Sequence, residues 1–240
     1  MKITNARLSR LNVFFEAANG LQEFEYCDLL AECPNLEILK TTEVIGDEGL
    51  EVVAAICKKM KRLRIYKRTK DQNVEGWITE EGLIALSKGC SELEYLTIYM
   101  SSITNEALKC VGNNMKKLCD FRLMLFVVNP QQKLRQRVLD IGVESLLKGC
   151  PDLKRLSLLF YTYWLTGNGI KSIVKYGKNV KVMQLGNIVR SDAMLNFFEN
   201  ELCNPIGLQK LETLDMWNCC FSGTALTRAQ AVHLMGSSAI

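Results

Sequence analysis

The chain has 240 residues, of which 48% are hydrophobic, and a net charge of +4, so its composition allows one elongated domain with its own core. No run of 18 or more apolar residues occurs, and "MKITNARLSRLNVFF" lacks the apolar core and cleavage site of a secretory signal. We therefore expect a soluble intracellular protein with neither a membrane nor a nucleic acid as partner.

One short pattern, L-x-x-L-x-L, recurs along the chain. It stands in "ECPNLEILK" at 32–40, "GCSELEYLTIY" at 89–99 and "GCPDLKRLSLL" at 149–159, and less regularly in "CKKMKRLRIY" and "NMKKLCDFRLML". The strands that it predicts recur every 24 to 35 residues, and such a period is typical of leucine-rich repeats. The apolar residues that open them are Leu39, Leu63, Leu96, Phe121, Leu156, Met183 and Leu214.

A helical pattern precedes each strand from the second onward, and several of these segments open with Thr, Asp or Ser, as helix N-termini do. Neither a lone helix nor a lone strand can bury its apolar face, so successive units must stack. We predict an α/β solenoid, a horseshoe with a parallel β-sheet on the concave face and helices outside. The helical segments are "GDEGLEVVAAICKKM", "TEEGLIALSKGC", "TNEALKCVGNNM", "LDIGVESLLKGC", "TGNGIKSIVKYG" and "RSDAMLNFFENEL".

The predicted domain covers residues 1–221, with about seven strands, and residues 222–240 form a divergent helical tail that caps the sheet. We expect the domain to be incomplete at both ends. At the amino end, Phe24 and Leu39 are 15 residues apart, too few for a repeat, so one strand–helix unit is expected to be missing there.

Cysteine and histidine usage argues against a metal site or an enzyme. Cys33, Cys90 and Cys150 stand three residues before a leucine segment, where a small buried side chain ends the helix. The single histidine, His233, offers little for zinc or for a Cys–His pair. Neither G-x-S-x-G nor a phosphate-binding glycine motif occurs. We expect no metal, no catalytic residue and no enzyme activity.

The strand register predicts which side chains reach the concave face, since residues that flank the leucines point away from the core. Five basic residues fall there, against the acidic Asp120 and Asp215. These basic residues are Lys40, Arg62, Arg64, Arg122 and Arg155.

Arg64 and Arg122 are two strands apart, which is about 10 Å at the backbone. Their guanidinium forks are predicted to converge on one carboxylate or phosphate, with Tyr99 on the intervening strand. The alternative is a solvated concave face that binds a protein partner while water satisfies the arginines.

Three blocks of the sequence resemble a known family. They are "CPNLEILKTTEVIGDEGLEVVAAICKKMKRLRI", "EEGLIALSKGCSELEYLTIYMSSITNEALKCVGNNMKKLCDFRL" and "LQKLE…NCCF", and the resemblance runs from about residue 8 to 221. The three blocks resemble the leucine-rich repeats of the plant coronatine-insensitive jasmonate receptors, which are F-box proteins related to the auxin receptors. The resemblance implies a nuclear substrate receptor of a cullin ubiquitin ligase, which binds jasmonoyl-isoleucine, a transcriptional repressor peptide and an inositol polyphosphate.

Carried over residue by residue, the resemblance implies a hormone site of Arg64, Thr97, Tyr99 and Arg122. It also implies a polyphosphate site of Arg62, Arg64 and Arg122. Thr97 stands where the family has a small alanine.

The sequence also departs from the family. Leu159 stands in place of a pocket tyrosine, and Trp217 in place of a pocket arginine. Near residues 208–217 two strand registers are possible, one on Leu208 and Leu211 and one on Leu211 and Leu214. The sequence from Met1 onward contains no F-box, so a ligase adaptor is not expected to bind this chain. The alternative to a receptor is a hormone-independent protein-interaction solenoid, or a truncated paralogue without function.

Overall fold

The computed structural model describes residues 7–13, 23–42, 45–67, 78–125, 138–160, 164–187 and 208–217. Over these ranges the chain forms one sheet of eight parallel strands, which neighbour one another in the order of the sequence. Six helices pack along one side of this sheet, and none of them is long and apolar enough to cross a membrane. The predicted leucine-rich-repeat solenoid is therefore confirmed.

Each strand is short, and each helix has two to three turns. The strands are β1 Arg10–Asn12, β2 Ile38–Thr42, β3 Arg62–Tyr66, β4 Tyr95–Met100, β5 Asp120–Leu125, β6 Arg155–Leu159, β7 Val182–Gly186 and β8 Thr213–Trp217. The helices are α1 Glu23–Ala31, α2 Gly46–Ile56, α3 Glu80–Gly89, α4 Asn105–Asn114, α5 Asp140–Gly149 and α6 Gly167–Tyr176.

Equivalent apolar residues of successive repeats lie side by side in the core. The seven residues expected to open β2 to β8 pair in one continuous row from Leu39 to Leu214, and all of them are buried. This row fixes the register at the carboxyl end, where Leu214 pairs with Met183. Leu208 is buried in the turn before β8, and Leu211 donates its backbone N–H to the carbonyl of Leu208.

The amino end differs from the expectation in one respect. An eighth strand, β1, pairs with β2 through Leu11 and Leu39, so this repeat spans 28 residues. Phe24 lies in the helix α1 of this repeat and does not open a strand. The expected loss of a strand–helix unit between Phe24 and Leu39 is therefore wrong. The helix expected at 190–202 and the tail at 222–240 lie outside the described residues.

Helices of neighbouring repeats approach each other closely at glycines, which have no side chain to separate the two backbones. A Cβ at Gly89 would lie 2.5 Å from Cα of Ala54, and one at Gly112 would lie 2.9 Å from Cα of Leu146. A Cβ at Gly149 would lie 2.6 Å from Cα of Gly112 and closer still to its carbonyl oxygen. The glycines near the carboxyl ends of α3, α4 and α5 thus let the helix backbones pack without side chains between them.

The amino ends of the helices are joined across repeats by polar side chains. The carboxylate of Asp47 accepts hydrogen bonds from the backbone N–H and the hydroxyl of Thr79, at 2.8 and 2.6 Å. The carboxylate of Asp140 accepts from the same two groups of Thr166. Asn105 accepts from the N–H of Gly142 at 2.7 Å. Helix ends that would otherwise leave free N–H groups are therefore satisfied by the preceding repeat.

Buried cysteines form the third contact between repeats, as predicted for Cys33, Cys90 and Cys150. Cys57 lies within 3.5 Å of the carbonyl of Cys33, and Cys90 within 3.7 Å of the carbonyl of Cys57. Burial raises the pKa of Cys57 to about 11 and that of Cys90 and Cys150 to about 12. These thiols are therefore neutral and structural at physiological pH.

Replacing Gly149 with Ala should lower the free energy of unfolding by about 1–3 kcal/mol, because the new methyl group meets the backbone of Gly112 and not a movable side chain. Denaturant unfolding followed by circular dichroism measures the change. Ser145→Ala, on the half-exposed face of the same helix, is the control and should change stability by less than about 0.5 kcal/mol. Equal stability of the two variants would contradict the close approach.

Stability should fall as the pH rises above 9. Each buried thiol has a higher pKa in the folded chain than the ordinary thiol value of 9.0, so the unfolded chain loses that proton first. Each such thiol should lower the free energy of unfolding by at most about 1.4 kcal/mol per pH unit until its folded pKa is reached. Urea unfolding at pH 8, 9.5 and 11 measures the slope. Cys150→Ala should make it shallower, and an unchanged slope would argue against this origin.

Candidate functional site

The side chains that point away from the helices form three rows across the strands, here called the concave face. The register agrees with the predicted one at each pair of strands from β2 to β8. The first row is Arg10, Ile38, Arg62, Tyr95, Asp120, Arg155, Val182 and Thr213. The second is Asn12, Lys40, Arg64, Thr97, Arg122, Ser157, Gln184 and Asp215. The third includes Thr42, Tyr66, Tyr99, Met124, Leu159 and Gly186.

The sheet brings the predicted hormone-site residues together at the backbone. Thr97 pairs with Arg64 on one side and with Arg122 on the other, so the two arginines flank a small half-buried side chain. Tyr99 lies one position further along the same strand face and pairs with Met124. Thr97 is therefore bordered by a cation on each neighbouring strand, with an aromatic residue two positions further along its own strand.

Arg122 already has an acidic partner in its own strand. Its Nε and Nη2 donate to the two carboxylate oxygens of Asp120, each at 2.8 Å, in a two-pronged ion pair. Nε of Arg155 lies 4.0 Å from the same carboxylate. The hydrogen bond to Asp120 is the main cause that raises the pKa of Arg122. Asp120 thus holds the Arg122 guanidinium along β5, and the convergence of the Arg64 and Arg122 forks on one anion stays a prediction.

Arg64, unlike Arg122, has no acidic partner among the described residues. Its side chain is exposed, and no residue in the described part of the chain forms an ion pair or hydrogen bond with its guanidinium. Lys40, its partner in register, likewise has no acidic neighbour among the described residues. The guanidinium of Arg64 therefore keeps its full capacity for a two-pronged bond to an anion.

Arg62 lies on an aromatic ring. Its Cζ is 4.2 Å from the ring centroid of Tyr95, the next residue in the first row. A hydrogen bond with Cys119 is the main cause that raises the pKa of the Tyr95 phenol. The ring holds the arginine over the sheet without neutralising its charge.

The carboxyl half of the concave face is more neutral than the amino half. Ser157 donates to the side-chain oxygen of Gln184 at 2.6 Å, and Gln184 donates to Asp215 at 2.9 Å. The concave positions of β1 to β3 contain basic residues and no acidic residue, whereas both concave acids in the described rows lie on β5 and β8. An anion is therefore attracted to the β1–β3 part of the face. The cations there are Arg10, Lys40, Arg62 and Arg64.

Sequence reasoning missed two features of this surface. Arg10 and Asn12 extend the first two rows on β1, whose apolar pattern of Leu8, Leu11 and Val13 was overlooked in the sequence. The other missed feature is the ion pair between Asp120 and Arg122. These residues are two positions apart, so they share one face of a strand, and this spacing could have predicted the pair. Among the described residues, no group of three or more metal-ligating side chains lies together.

Comparison with known proteins gives relatives over most of the chain. It is 41% identical over 230 residues to coronatine-insensitive protein 1 of Arabidopsis thaliana, and the match covers 93% of this chain and 36% of that protein. It is 40% identical over 208 residues to coronatine-insensitive protein homolog 1b of Oryza sativa subsp. japonica, covering 85% of this chain and 34% of that protein. It is 30% identical over 187 residues to F-box protein FBX14 of Arabidopsis thaliana, and the match covers 78% of this chain and 29% of that protein.

The chain thus spans about a third of the length of the curated relatives that it matches. No family model matches it. The chain is similar to the crystal structure of the yeast Rad7 and Elc1 complex, with a TM-score of 0.50 and 16% sequence identity. The match covers 92% of this chain and 60% of that chain, and it supports the fold alone. Over the matched segment, the chain is a homologue of the coronatine-insensitive proteins, and the predicted resemblance is confirmed.

Proposed function

We propose, from the homology to coronatine-insensitive proteins, that this chain acts as a receptor segment whose concave face binds jasmonoyl-isoleucine and a transcriptional repressor peptide. The observation that supports this most directly is the row Arg64, Thr97 and Arg122, with Tyr99 on the middle strand. The hormone carries one carboxylate and an apolar body, and this row offers cations beside aromatic and aliphatic side chains.

Each residue has a distinct part in this proposal. Arg64 takes the hormone carboxylate, since its fork has no partner among the described residues. Thr97 leaves room between the arginines because its side chain is short. Tyr99 supplies an apolar ring and a hydroxyl. Arg122 contributes the N–H groups on the side of its guanidinium that Asp120 does not occupy.

An inositol polyphosphate is proposed to bind the same basic surface through Arg62, Arg64 and Arg122. Arg62 is exposed, and its contact with Tyr95 leaves its charge uncompensated. Lys40 lies beside Arg64 and adds to the positive potential. A multiply charged phosphate gains from every nearby cation, which makes this surface more suitable for it than the carboxyl half of the face.

At the level of the whole protein, we propose a non-catalytic substrate receptor of a ubiquitin ligase that acts in the nucleus of a plant cell. This proposal rests on the homology to coronatine-insensitive and F-box proteins. The repeats would hold the hormone and the repressor, and recruitment of the ligase would be a task for other parts of such a receptor.

One observation favours the alternative of hormone-independent protein binding. Asp120 already satisfies Arg122 and lies near Arg155, so part of the concave face is electrostatically balanced without a ligand. A solenoid that binds a protein partner directly would have such a face.

A fluorescein-labelled degron peptide of a jasmonate-response repressor should bind the purified chain only when jasmonoyl-isoleucine is added, as measured by fluorescence anisotropy. Arg64→Ala should weaken this binding by about tenfold or more, since it removes a charge-assisted bond to the carboxylate. Lys109→Ala, which removes a positive charge on α4 outside the concave face, is the control and should change the affinity less than about threefold. Absence of binding at saturating hormone would reject the receptor proposal, and equal binding without hormone would support the alternative.

Inositol hexakisphosphate should bind the chain with an affinity that falls as salt increases, because several exposed cations contribute. The double variant Arg62→Ala with Arg64→Ala should weaken binding by about tenfold or more in isothermal titration calorimetry. The double variant Lys109→Ala with Lys117→Ala, outside the concave face, is the charge-matched control. An equal loss in the control would indicate non-specific attraction and contradict a site at Arg62 and Arg64.

A further inference from the structure

A groove lies between the outer sides of α5 and α6, on the helical flank of the solenoid and therefore on the opposite side of the sheet from the concave face. Its volume is about 750 Å³. Val138, Ile141 and Glu144 line it from the side of α5, and Lys171, Lys175 and Tyr176 line it from α6. The homology and the proposed receptor function do not involve this groove.

The amino end of the groove is apolar and open to solvent. Ile141 is 69% exposed and Val138 is 44% exposed, and these two are the exposed large hydrophobic residues in the described part of the chain. Neighbouring apolar residues of α5, such as Val143 and Leu146, are fully buried. Two exposed aliphatic side chains that share one groove indicate a contact surface, whereas scattered ones would not.

The carboxyl end of the groove is cationic. The ammonium groups of Lys148 and Lys175 lie 4.8 and 5.1 Å from the ring centroid of Tyr176. Hydrogen bonding, chiefly from Lys175 and also from Lys148, lowers the pKa of the Tyr176 phenol. Two lysines thus flank the aromatic ring, and the third, Lys171, is exposed one turn before Lys175 on α6.

The acidic residues of the groove already have partners. Glu144 forms an ion pair with Lys148 at 2.5 Å and accepts a hydrogen bond from Ser172 at 3.3 Å. Asp140 accepts from the backbone N–H of Thr166 at 2.9 Å. Among the described residues, Lys171 and Lys175 form no direct ion pair, although the charge of Lys175 helps to lower the pKa of Glu144. Three lysines, Lys148, Lys171 and Lys175, stand against the two carboxylates of Asp140 and Glu144, so the charge left for an incoming group is positive.

The two ends have a defined spacing. Ile141 and Lys148 are seven residues apart on α5, which corresponds to about 10 Å along a helix axis. Lys148 and Lys175 both contact the ring of Tyr176, so Lys175 lies at the same level of the groove as Lys148. A ligand that uses both ends therefore needs an apolar side chain and a carboxylate separated by about 10 Å. A peptide provides this with about three residues in extended form, or with about seven in a helix.

We propose that the α5–α6 groove binds a peptide segment of a protein partner that carries a large apolar side chain and, about 10 Å away, one or more carboxylates. The apolar side chain packs on Val138 and Ile141, and the carboxylates pair with Lys171 and Lys175. A second copy of this chain is a poor occupant, because a symmetric contact would place these lysines against their own equivalents.

The test begins with selection of a displayed library of random 12-residue peptides on the purified chain. The expected enrichment is for Leu, Ile or Phe together with Asp or Glu at the stated spacing. The strongest peptide is then synthesised with a fluorescent label, and its affinity is measured by anisotropy. Ile141→Ser should weaken binding by about tenfold, as should Lys171→Glu with Lys175→Glu. Lys109→Glu on α4 is the control and should leave the affinity within about threefold.

The altered residues are exposed, so each variant should keep the melting temperature of the parent chain, which thermal unfolding checks. Competition with the repressor degron peptide separates this surface from the concave face, and no competition is expected. The proposal is overturned if no acidic-apolar peptides are enriched, or if the groove variants bind them as well as the control does. Dimerisation of the chain that Ile141→Ser abolishes, measured by sedimentation, would also overturn it, since a second copy would then be the occupant.

Discussion

The parallel hydrogen-bond register of the sheet is the constraint on which the rest of the structure depends. It sets equivalent residues of successive repeats about 4.8 Å apart, so one repeated pattern becomes a continuous row. The row from Leu39 to Leu214 forms the core, and the neighbouring row from Lys40 to Asp215 forms the middle of the concave face. A shift of one residue in any strand would exchange core and concave side chains, so the register determines both stability and the candidate site.

The helices restrict how this sheet can curve. Packed helices usually lie 8–10 Å apart, whereas parallel strands lie about 4.8 Å apart, so stacked units must fan outward on the helical side. Gly89, Gly112 and Gly149 reduce the distance between helices by removing side chains from the contact. Asp47 and Asp140 hold the amino ends of adjacent helices together. These contacts limit the fanning and thereby influence how closely the concave side chains approach one another.

The leucine spacing was sufficient to predict the fold class, β2 to β8 and the identity of the concave rows. The same spacing is present at β1, where Leu8, Leu11 and Val13 pack against the core, so this strand could also have been predicted but was overlooked. The ambiguous register near Leu214 depended on Leu208, which replaces the cysteine of other repeats. The backbone bond from Leu211 to Leu208 is the same as the bond from Leu93 to Cys90, and this equivalence was visible only in three dimensions. The helix glycines carried a signal as well, since "KGC" ends both α3 and α5, yet a repeated glycine does not reveal which backbone it faces.

The two central arginines of the concave face differ in what an anion gains from them. Arg64 is exposed and has no acidic partner among the described residues, so its attraction for an anion is opposed mainly by the loss of its hydration. Arg122 is already neutralised by Asp120, and an anion that approaches it also approaches that carboxylate. Like charges at short range oppose binding unless Arg122 turns away from Asp120, and Arg155, 4.0 Å from the same carboxylate, can then take over as its partner. Arg64 therefore provides the larger share of anion affinity, while Arg122 and Arg155 determine how readily the face exchanges an internal ion pair for a ligand.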